Sequence, residues 1–143
     1  MEGATFKGNI MYTITKTFTF CYGHRLYLDP GKCGHLHGHT GRAEIALEGE
    51  FLNELGMLKN FDDIKANIGR WIDENLDHRM LLNNADPLVK ILQGAEEKLF
   101  LMEGNPTAEN IARLIFDMVV KTGLPVKDIT FWESPTACAT YSK

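Results

Sequence analysis

Residues 10–20, IMYTITKTFTF, alternate apolar side chains with polar ones that are mostly threonine, and this alternation decides the fold. In an extended chain the apolar members share one face, and they are Tyr12, Ile14, Phe18 and Phe20. A second alternating run follows at residues 39–50, HTGRAEIALEGE, after a turn-rich stretch at residues 29–34. We therefore predict two strands that pair around a long loop.

Further along the chain, the apolar period changes from two residues to that of a helix. Helical spacing occurs in residues 61–72 and again in residues 111–119, where Pro106 and Thr107 mark the helix start. Short strands are predicted at 126–131 and 137–141. The order β-β-α-α-β-β predicts an α+β fold, an antiparallel sheet with two helices on one face. No repeat or linker interrupts it, so we expect a single domain over residues 1–143.

Composition limits the classes of partner and the compartment. The chain has a formal net charge of −4 without a Lys/Arg run, which argues against a nucleic-acid binder. No apolar run has membrane-spanning length, so no membrane partner is predicted. Cys21, Cys33 and Cys138 are odd in number and form no CxxC pair, which favours a reducing, cytoplasmic setting. Cys21 is expected in the core, because free cysteine is usually buried.

Four of the five histidines lie between residues 24 and 39. His37 and His39 are two residues apart, so on a strand both imidazoles point to the same side. If the two strands pair, His24 joins them and completes three nitrogen ligands, a set typical of catalytic Zn²⁺ with one position open. Two alternatives remain: ordinary loop or core histidines, and a structural zinc site closed by His35 as the fourth ligand.

Other polar residues near these histidines allow two interpretations each. Cys33 is either a further ligand or a thiol whose pKa the metal lowers. From spacing alone, Asp77 and His78 are best explained as the end of a helix with a cation at its negative pole. Glu133 follows an apolar strand and either faces solvent or accepts hydrogen bonds in a pocket.

Several motifs occur together in the order of a known family. They are FCYGH at 20–24, CGHLHGH at 33–39, GMLKNF at 56–61, LDH at 76–78, NPTAEN at 105–110, and Glu133. In this combination the chain resembles the 6-pyruvoyl-tetrahydropterin synthase and 6-carboxy-tetrahydropterin synthase family over nearly its whole length. Departures from the family pattern include Asn60, where aspartate is usual, and Cys21-Tyr22-Gly23, where small residues are usual.

The resemblance implies roles for individual residues. By this comparison His24, His37 and His39 bind zinc; Cys33 is the catalytic thiol, with Asp77 and His78 as its proton relay; and Glu133 anchors the pterin ring, with Thr107 and Glu109 nearby. The family's tunnelling fold joins the sheets of several subunits into a barrel. A homo-oligomer, a hexamer of two trimers with active sites between subunits, is therefore implied.

The spacer of three residues between Cys33 and His37 resembles the bacterial 6-carboxy branch more than the animal 6-pyruvoyl branch. The implied reaction is zinc-dependent conversion of 7,8-dihydroneopterin triphosphate to 6-carboxy-tetrahydropterin, with release of triphosphate and acetaldehyde, in queuosine precursor synthesis. The alternatives are a 6-pyruvoyl synthase or another pterin side-chain lyase, and, from a different class, a pterin- or purine-binding module without turnover.

Overall fold

The computed structural model describes residues 10–143, and these form one six-stranded sheet in the order β4-β3-β1-β2-β5-β6. The strands are β1 (Tyr12–His24), β2 (His37–Gly49), β3 (Arg79–Asn83), β4 (Leu99–Met102), β5 (Val126–Ser134) and β6 (Ala137–Ser142). The pairs β1–β2, β2–β5 and β5–β6 are antiparallel, as predicted. The α+β class is confirmed.

The helices of residues 10–143 pack on this sheet in three places. The first begins as α1 (Phe61–Ile64), passes through a π-helical stretch (Lys65–Gly69) and ends as α2 (Arg70–Asn75); the others are α3 (Leu88–Gly94) and α4 (Ala108–Lys121). The side chain of Asn60 accepts a hydrogen bond from Asp62 N at 2.9 Å and so caps α1. Asparagine caps a helix as well as aspartate does, so this departure leaves the helix start intact.

The predicted order β-β-α-α-β-β was wrong in omitting β3, α3 and β4, and the sheet is mixed, not antiparallel. β3 pairs in parallel with both β1 and β4. β3 (RMLLN) and β4 (LFLM) are only five and four residues long, and their apolar residues are consecutive, so they show no alternation. Periodicity cannot separate runs of this kind from a buried helix turn, which explains the omission.

One face of the sheet forms the core and the other is polar. Fully or nearly fully buried side chains include Phe20, Ile45, Leu47, Ile129 and Phe131 from the strands, and the helices cover them. Burying one such side chain contributes about 2 kcal/mol. The threonines at odd positions of β1 are exposed on the other face. Cys21 is among these odd positions and is exposed, so its predicted burial was wrong.

Candidate metal and substrate site

Three imidazoles converge at the paired ends of β1 and β2. His24 lies directly across from His37 in the antiparallel register, and His39 is two residues further along β2 on the same face. One nitrogen from each ring lies within 4.8 Å of those of the other two. His24 is almost fully buried, and the other two are half-buried. Strand alternation together with this register brings the three rings together.

Backbone carbonyls hold two of the rings by their Nδ1 atoms. His24 Nδ1–H donates to Pro106 O at 2.8 Å, and His37 Nδ1–H donates to His35 O at 2.7 Å. A carbonyl only accepts, so Nδ1 holds a proton in both rings, and in the neutral form of each ring the lone pair is on Nε2. These two Nε2 atoms face each other at 3.0 Å. Two facing lone pairs repel unless a cation lies between them.

The third ring also presents a nitrogen without a partner. His39 Nε2 is buried and has no hydrogen-bond partner within residues 10–143, and the closest carboxylate oxygen, Glu133 Oε1, is 3.6 Å away. Buried polar atoms nearly always have a hydrogen-bond partner or a ligand, so His39 Nε2 is a candidate to bind a ligand. Burial, the largest effect, lowers the pKa of His24, although the bond to Pro106 opposes it. A neutral imidazole is the form that binds a metal.

This donor set fits Zn²⁺. Zinc–nitrogen bonds of about 2.0–2.1 Å in a tetrahedron put neighbouring nitrogens roughly 3.3 Å apart, close to the separation of the His24 and His37 Nε2 atoms. Three imidazoles leave a fourth position for another ligand. The His35 side chain is exposed and lies outside the cluster. A site closed by four histidines is therefore not what this chain forms.

The proposed acid–base residues are not assembled around the triad in a single chain. Cys33 lies on an exposed 3₁₀ turn (Lys32–Gly34) in the loop between β1 and β2. The turn after α2 contains Asp77 and His78, and His78 N donates to Cys21 O at 2.7 Å. Within residues 10–143, no hydrogen bond or ion pair joins Cys33 to either residue. Cys21 precedes His24 by three residues, which places this turn roughly 10 Å back along β1.

Asp77 and His78 nevertheless form a pair of their own. His78 Nδ1 lies 2.9 Å from Asp77 Oδ2, and Asp77 Oδ1 accepts from Cys21 N at 3.0 Å. Partial burial, the largest effect, raises the pKa of Asp77, but the hydrogen bonds from His78 and Cys21 together outweigh it and leave the pKa lowered. His78 adopts a left-handed backbone (φ 55°), an uncommon conformation outside glycine, and its side chain is exposed. The arrangement orients an imidazole towards space outside this chain.

A cavity of about 510 Å³ lies mainly on the polar face of the sheet, where Thr19, Arg42 and Trp132 line it, and it reaches His39 and Glu133. Trp132 Nε1–H donates to Glu44 Oε1 at 2.9 Å, and the Arg42 guanidinium lies 4.9 Å from the indole centroid. Glu133 is two residues beyond the buried Phe131 on β5, so strand alternation places its side chain on the face of the sheet that contains the triad. The two remaining candidates are at the start of α4: the Thr107 hydroxyl caps the helix by accepting from Asn110 N at 3.2 Å, and Glu109 is exposed.

Sequence reasoning missed residues that shape the site from a distance. The Tyr22 hydroxyl is buried, has no partner within residues 10–143, and its ring packs edge-on against His24 with centroids 5.2 Å apart. Burial, and then the charge of Glu133, raise the pKa of Tyr22, so the hydroxyl keeps its proton. The Arg25–Asp86 ion pair and the Pro106 carbonyl were also missed. Only the alternation that places Tyr22 beside the histidines gave a signal in the sequence.

The fold and the imidazole cluster define a protein of the tunnelling-fold class, and solved structures agree. An uncharacterized protein from Wolinella succinogenes superposes with a TM-score of 0.78 and 29% identity, covering 94% of this chain and 99% of its own. Caenorhabditis elegans 6-pyruvoyl tetrahydropterin synthase shares the fold, with a TM-score of 0.70 and 23% identity over 94% of this chain and 96% of its own. The sequence pattern of 6-pyruvoyl tetrahydropterin synthase matches residues 13–143. The chain belongs to this family of lyases, as its motifs indicated.

Curated relatives of this chain carry the name 6-carboxy-5,6,7,8-tetrahydropterin synthase. One from Rickettsia bellii is 38% identical over 104 residues, 71% of this chain and 75% of the relative. Another from Haemophilus influenzae is 30% identical over 93% of this chain and all of the relative. No helix of residues 10–143 is both long and apolar enough to cross a membrane.

Proposed function

We propose that this chain is a zinc-dependent lyase that converts 7,8-dihydroneopterin triphosphate to 6-carboxy-5,6,7,8-tetrahydropterin. The observation that carries the proposal is the cluster of imidazole nitrogens from His24, His37 and His39, one of which, His39 Nε2, lies 3.6 Å from Glu133 Oε1. In a pterin lyase, a metal-binding set would act on the reacting side chain, and a carboxylate would accept hydrogen bonds from the ring. The curated names of the relatives support this substrate and product.

In this proposal the three histidines hold the metal and Glu133 holds the ring. Zinc held by these side chains would supply Lewis-acid stabilisation of the negative charge that develops on the side-chain oxygens. The ionised Glu133 accepts two parallel hydrogen bonds from the pyrimidine edge of the pterin, which fixes its orientation. Thr107 and Glu109 would assist from the start of α4.

Proton transfer is assigned to Cys33, Asp77 and His78. Cys33 acts as general base on the side-chain carbons, and the His78 imidazole, held by Asp77, exchanges protons with it. Because Cys33 and His78 do not meet within one chain, we propose that each active site forms between subunits. The free edges of the sheet, β4 and β6, are where neighbouring sheets would join, in a hexamer of two trimers.

The proposed reaction balances with one water. The side chain has three carbons; the carbon attached to the ring stays as the carboxyl, and the other two leave as acetaldehyde after the triphosphate departs with its bridging oxygen. Two hydroxyl oxygens remain for products that contain three, so water supplies the third. The three side-chain carbons together lose the electron pair that reduces the ring from the dihydro to the tetrahydro form, and no external reductant is needed.

The spacer of three residues between Cys33 and His37 favours the carboxy branch over the pyruvoyl branch. We further propose a place in queuosine precursor synthesis, a cytoplasmic location consistent with three free cysteines, and a single domain over residues 1–143. These assignments rest on the family resemblance and on the names of the relatives.

The test is to incubate zinc-loaded protein with 7,8-dihydroneopterin triphosphate and to follow triphosphate, acetaldehyde and the pterin by mass. The expected products are 6-carboxy-tetrahydropterin and acetaldehyde in equal amounts. A pyruvoyl product would move the chain to the other branch. Tight binding without turnover would overturn the lyase assignment in favour of a pterin-binding module.

The ring anchor has its own test, the variant Glu133→Gln. The neutral amide loses the charge-assisted pair of hydrogen bonds, so we expect pterin affinity to fall by at least about tenfold while zinc stays bound. Equilibrium binding of the pterin product measures it. Unchanged affinity would remove Glu133 from the anchor role.

A further inference from the structure

The loop before α4 clasps the chain just after His24. The side-chain amide of Asn105 bonds both backbone groups of one residue: Tyr27 N donates to Asn105 Oδ1 at 2.9 Å, and Asn105 Nδ2 donates to Tyr27 O at 3.1 Å. Asn83 Nδ2 adds a longer bond of 3.3 Å to the same amide oxygen. A two-point contact of this kind fixes both the distance and the orientation of the loop relative to the end of β1.

The next residue in the loop is the one that touches the metal site. Pro106 is buried, and its carbonyl accepts the His24 Nδ1–H bond at 2.8 Å. This carbonyl is free to do so because the first bond within α4 runs from Ile111 N to Thr107 O. The carbonyl of Asn105 is in turn bound by Asn110 Nδ2 at 2.8 Å. Hydrogen bonds to the Asn105 carbonyl, from Asn110 Nδ2 and from Thr107 N at 2.8 Å, therefore hold the peptide before Pro106, and the carbonyl of the next peptide, Pro106 O, points at the imidazole.

A second tie holds the same segment without involving Pro106. Arg25 donates to the buried carboxylate of Asp86 through Nε at 2.6 Å and through Nη2 at 2.5 Å, and Asp86 also caps α3 by accepting from Leu88 N at 2.8 Å. The ion pair joins the end of β1 to the β3–α3 loop. The Arg25–Asp86 pair thus stabilises the segment, whereas the contacts of Asn105 and Pro106 set the direction of the His24 ring.

We infer that Asn105 is a positioning residue for the metal ligand His24: its amide clasps Tyr27 and so keeps the Pro106 carbonyl on His24 Nδ1. That carbonyl fixes the proton on Nδ1 and turns the lone pair of Nε2 towards His37 and His39. Outer partners of this kind commonly affect metal affinity by about 10- to 100-fold. The inference rests on the metal site proposed above, and it does not depend on which pterin reaction follows.

The test replaces Asn105 by alanine and measures zinc affinity by competition with a chromophoric chelator. We expect Asn105→Ala to bind zinc about 10- to 100-fold more weakly. The matched control is Thr122→Ala, which removes a side-chain bond to Val119 O, 2.6 Å long, at the far end of α4. The control should lower the melting temperature and leave zinc affinity within twofold of the parent. Asn105→Ala affinity within twofold of the parent would overturn the inference.

A measurement on the unmodified chain covers the case in which Asn105→Ala fails to fold. Long-range ¹⁵N–¹H NMR of the metal-free protein reports which nitrogen of each imidazole holds the proton. The inference expects His24 in the Nδ1–H form; a His24 in the Nε2–H form would overturn it. Absence of zinc binding by the parent would instead refute the metal site, and the two failures are thus distinguishable.

Discussion

The paired ends of β1 and β2 and the turn after α2 present opposite kinds of site. At the strand ends, three imidazoles meet within 4.8 Å, and backbone carbonyls fix two of them. At the turn, His78 is exposed and forms no hydrogen bond with Cys33 within residues 10–143, although Asp77 orients it. In our proposal, the first region binds the metal with ligands from a single chain, whereas the second supplies a proton-transfer group to a site that a neighbouring chain completes. We call them the complete region and the incomplete region. Metal binding and proton transfer should therefore respond differently to mutation and to assembly.

The largest effect is expected from removal of a metal ligand in the complete region. His37→Ala removes one of three ligands, and we expect zinc affinity to fall by more than about 100-fold with loss of turnover, a larger effect than an outer partner has. His35→Ala is the matched control, since that side chain is exposed and its carbonyl remains. Zinc content after dialysis measures the effect. Normal zinc content in His37→Ala would break the account of the triad.

The second-largest effect is expected from Cys33→Ala, which removes the proposed general base of the incomplete region. Removing a general base costs about 10²- to 10⁴-fold in kcat, while the zinc content should stay that of the parent because Cys33 is outside the triad. Cys138→Ala, another exposed thiol, should keep full activity. Steady-state kinetics and metal analysis of both variants measure these two effects. Near-normal turnover in Cys33→Ala would exclude the thiol from the mechanism.

A smaller effect is expected from loss of the ion pair between Arg25 and Asp86, which holds the chain just after His24. Asp86→Asn leaves the partly buried Arg25 unpaired, and we expect the free energy of unfolding to fall by about 3 kcal/mol at pH 7. The exposed pair of Arg113 and Asp117 supplies the control, since Asp117→Asn should cost less than about 1 kcal/mol. Urea titration measures both. Equal effects would mean that the buried pair is no more important than a surface one.

The same pair predicts a pH dependence. Hydrogen bonds from Arg25 hold the pKa of Asp86 below its ordinary value, despite burial, so the folded chain binds a proton less readily than the unfolded chain. The stabilisation is therefore present above about pH 4 and is lost as the pH falls through the lowered pKa. The difference between the parent and Asp86→Asn should shrink on acidification from pH 5 to pH 3. A constant difference would contradict this assignment.

The smallest effect is expected at Tyr22. Its hydroxyl is buried and has no hydrogen-bond partner among residues 10–143, so Tyr22→Phe removes an unsatisfied group and should raise the stability of the metal-free protein by about 1 kcal/mol. Tyr141→Phe, at a partly exposed tyrosine on β6, should be neutral. Thermal and urea unfolding measure both variants. A destabilised Tyr22→Phe would mean that the hydroxyl has a partner in solution.

Prediction from the sequence succeeded where a local period was present. The alternation in β1 and β2 fixed the faces of both strands, and Thr107 and Gly123 marked the ends of α4, with Gly123 in the left-handed conformation (φ 79°). The histidine cluster followed from the spacing of His37 and His39 together with the pairing of the strands. The parallel strands β3 and β4 had no such period and were missed.

The supporting contacts could not be predicted, because they join residues far apart in the chain. His24 and Pro106 are 82 positions apart, and Tyr27 and Asn105 are 78 apart. In the first of these contacts the acceptor is a backbone carbonyl, which every residue has, and in the second the partner is the backbone of Tyr27. The NPTAEN motif drew attention to Asn105 in the sequence, but the residues that Asn105 contacts could be identified only from the folded structure.

The most direct test of the central claim is to mix two inactive variants. Cys33→Ala and His78→Ala chains are unfolded together in denaturant, refolded with zinc, and assayed beside each variant refolded alone. If the metal site is complete in one chain and the proton-transfer set is shared, mixed assemblies contain some sites with both groups intact and recover up to about a quarter of the parent activity. No recovery, with zinc bound and mixed assemblies present, would contradict the account.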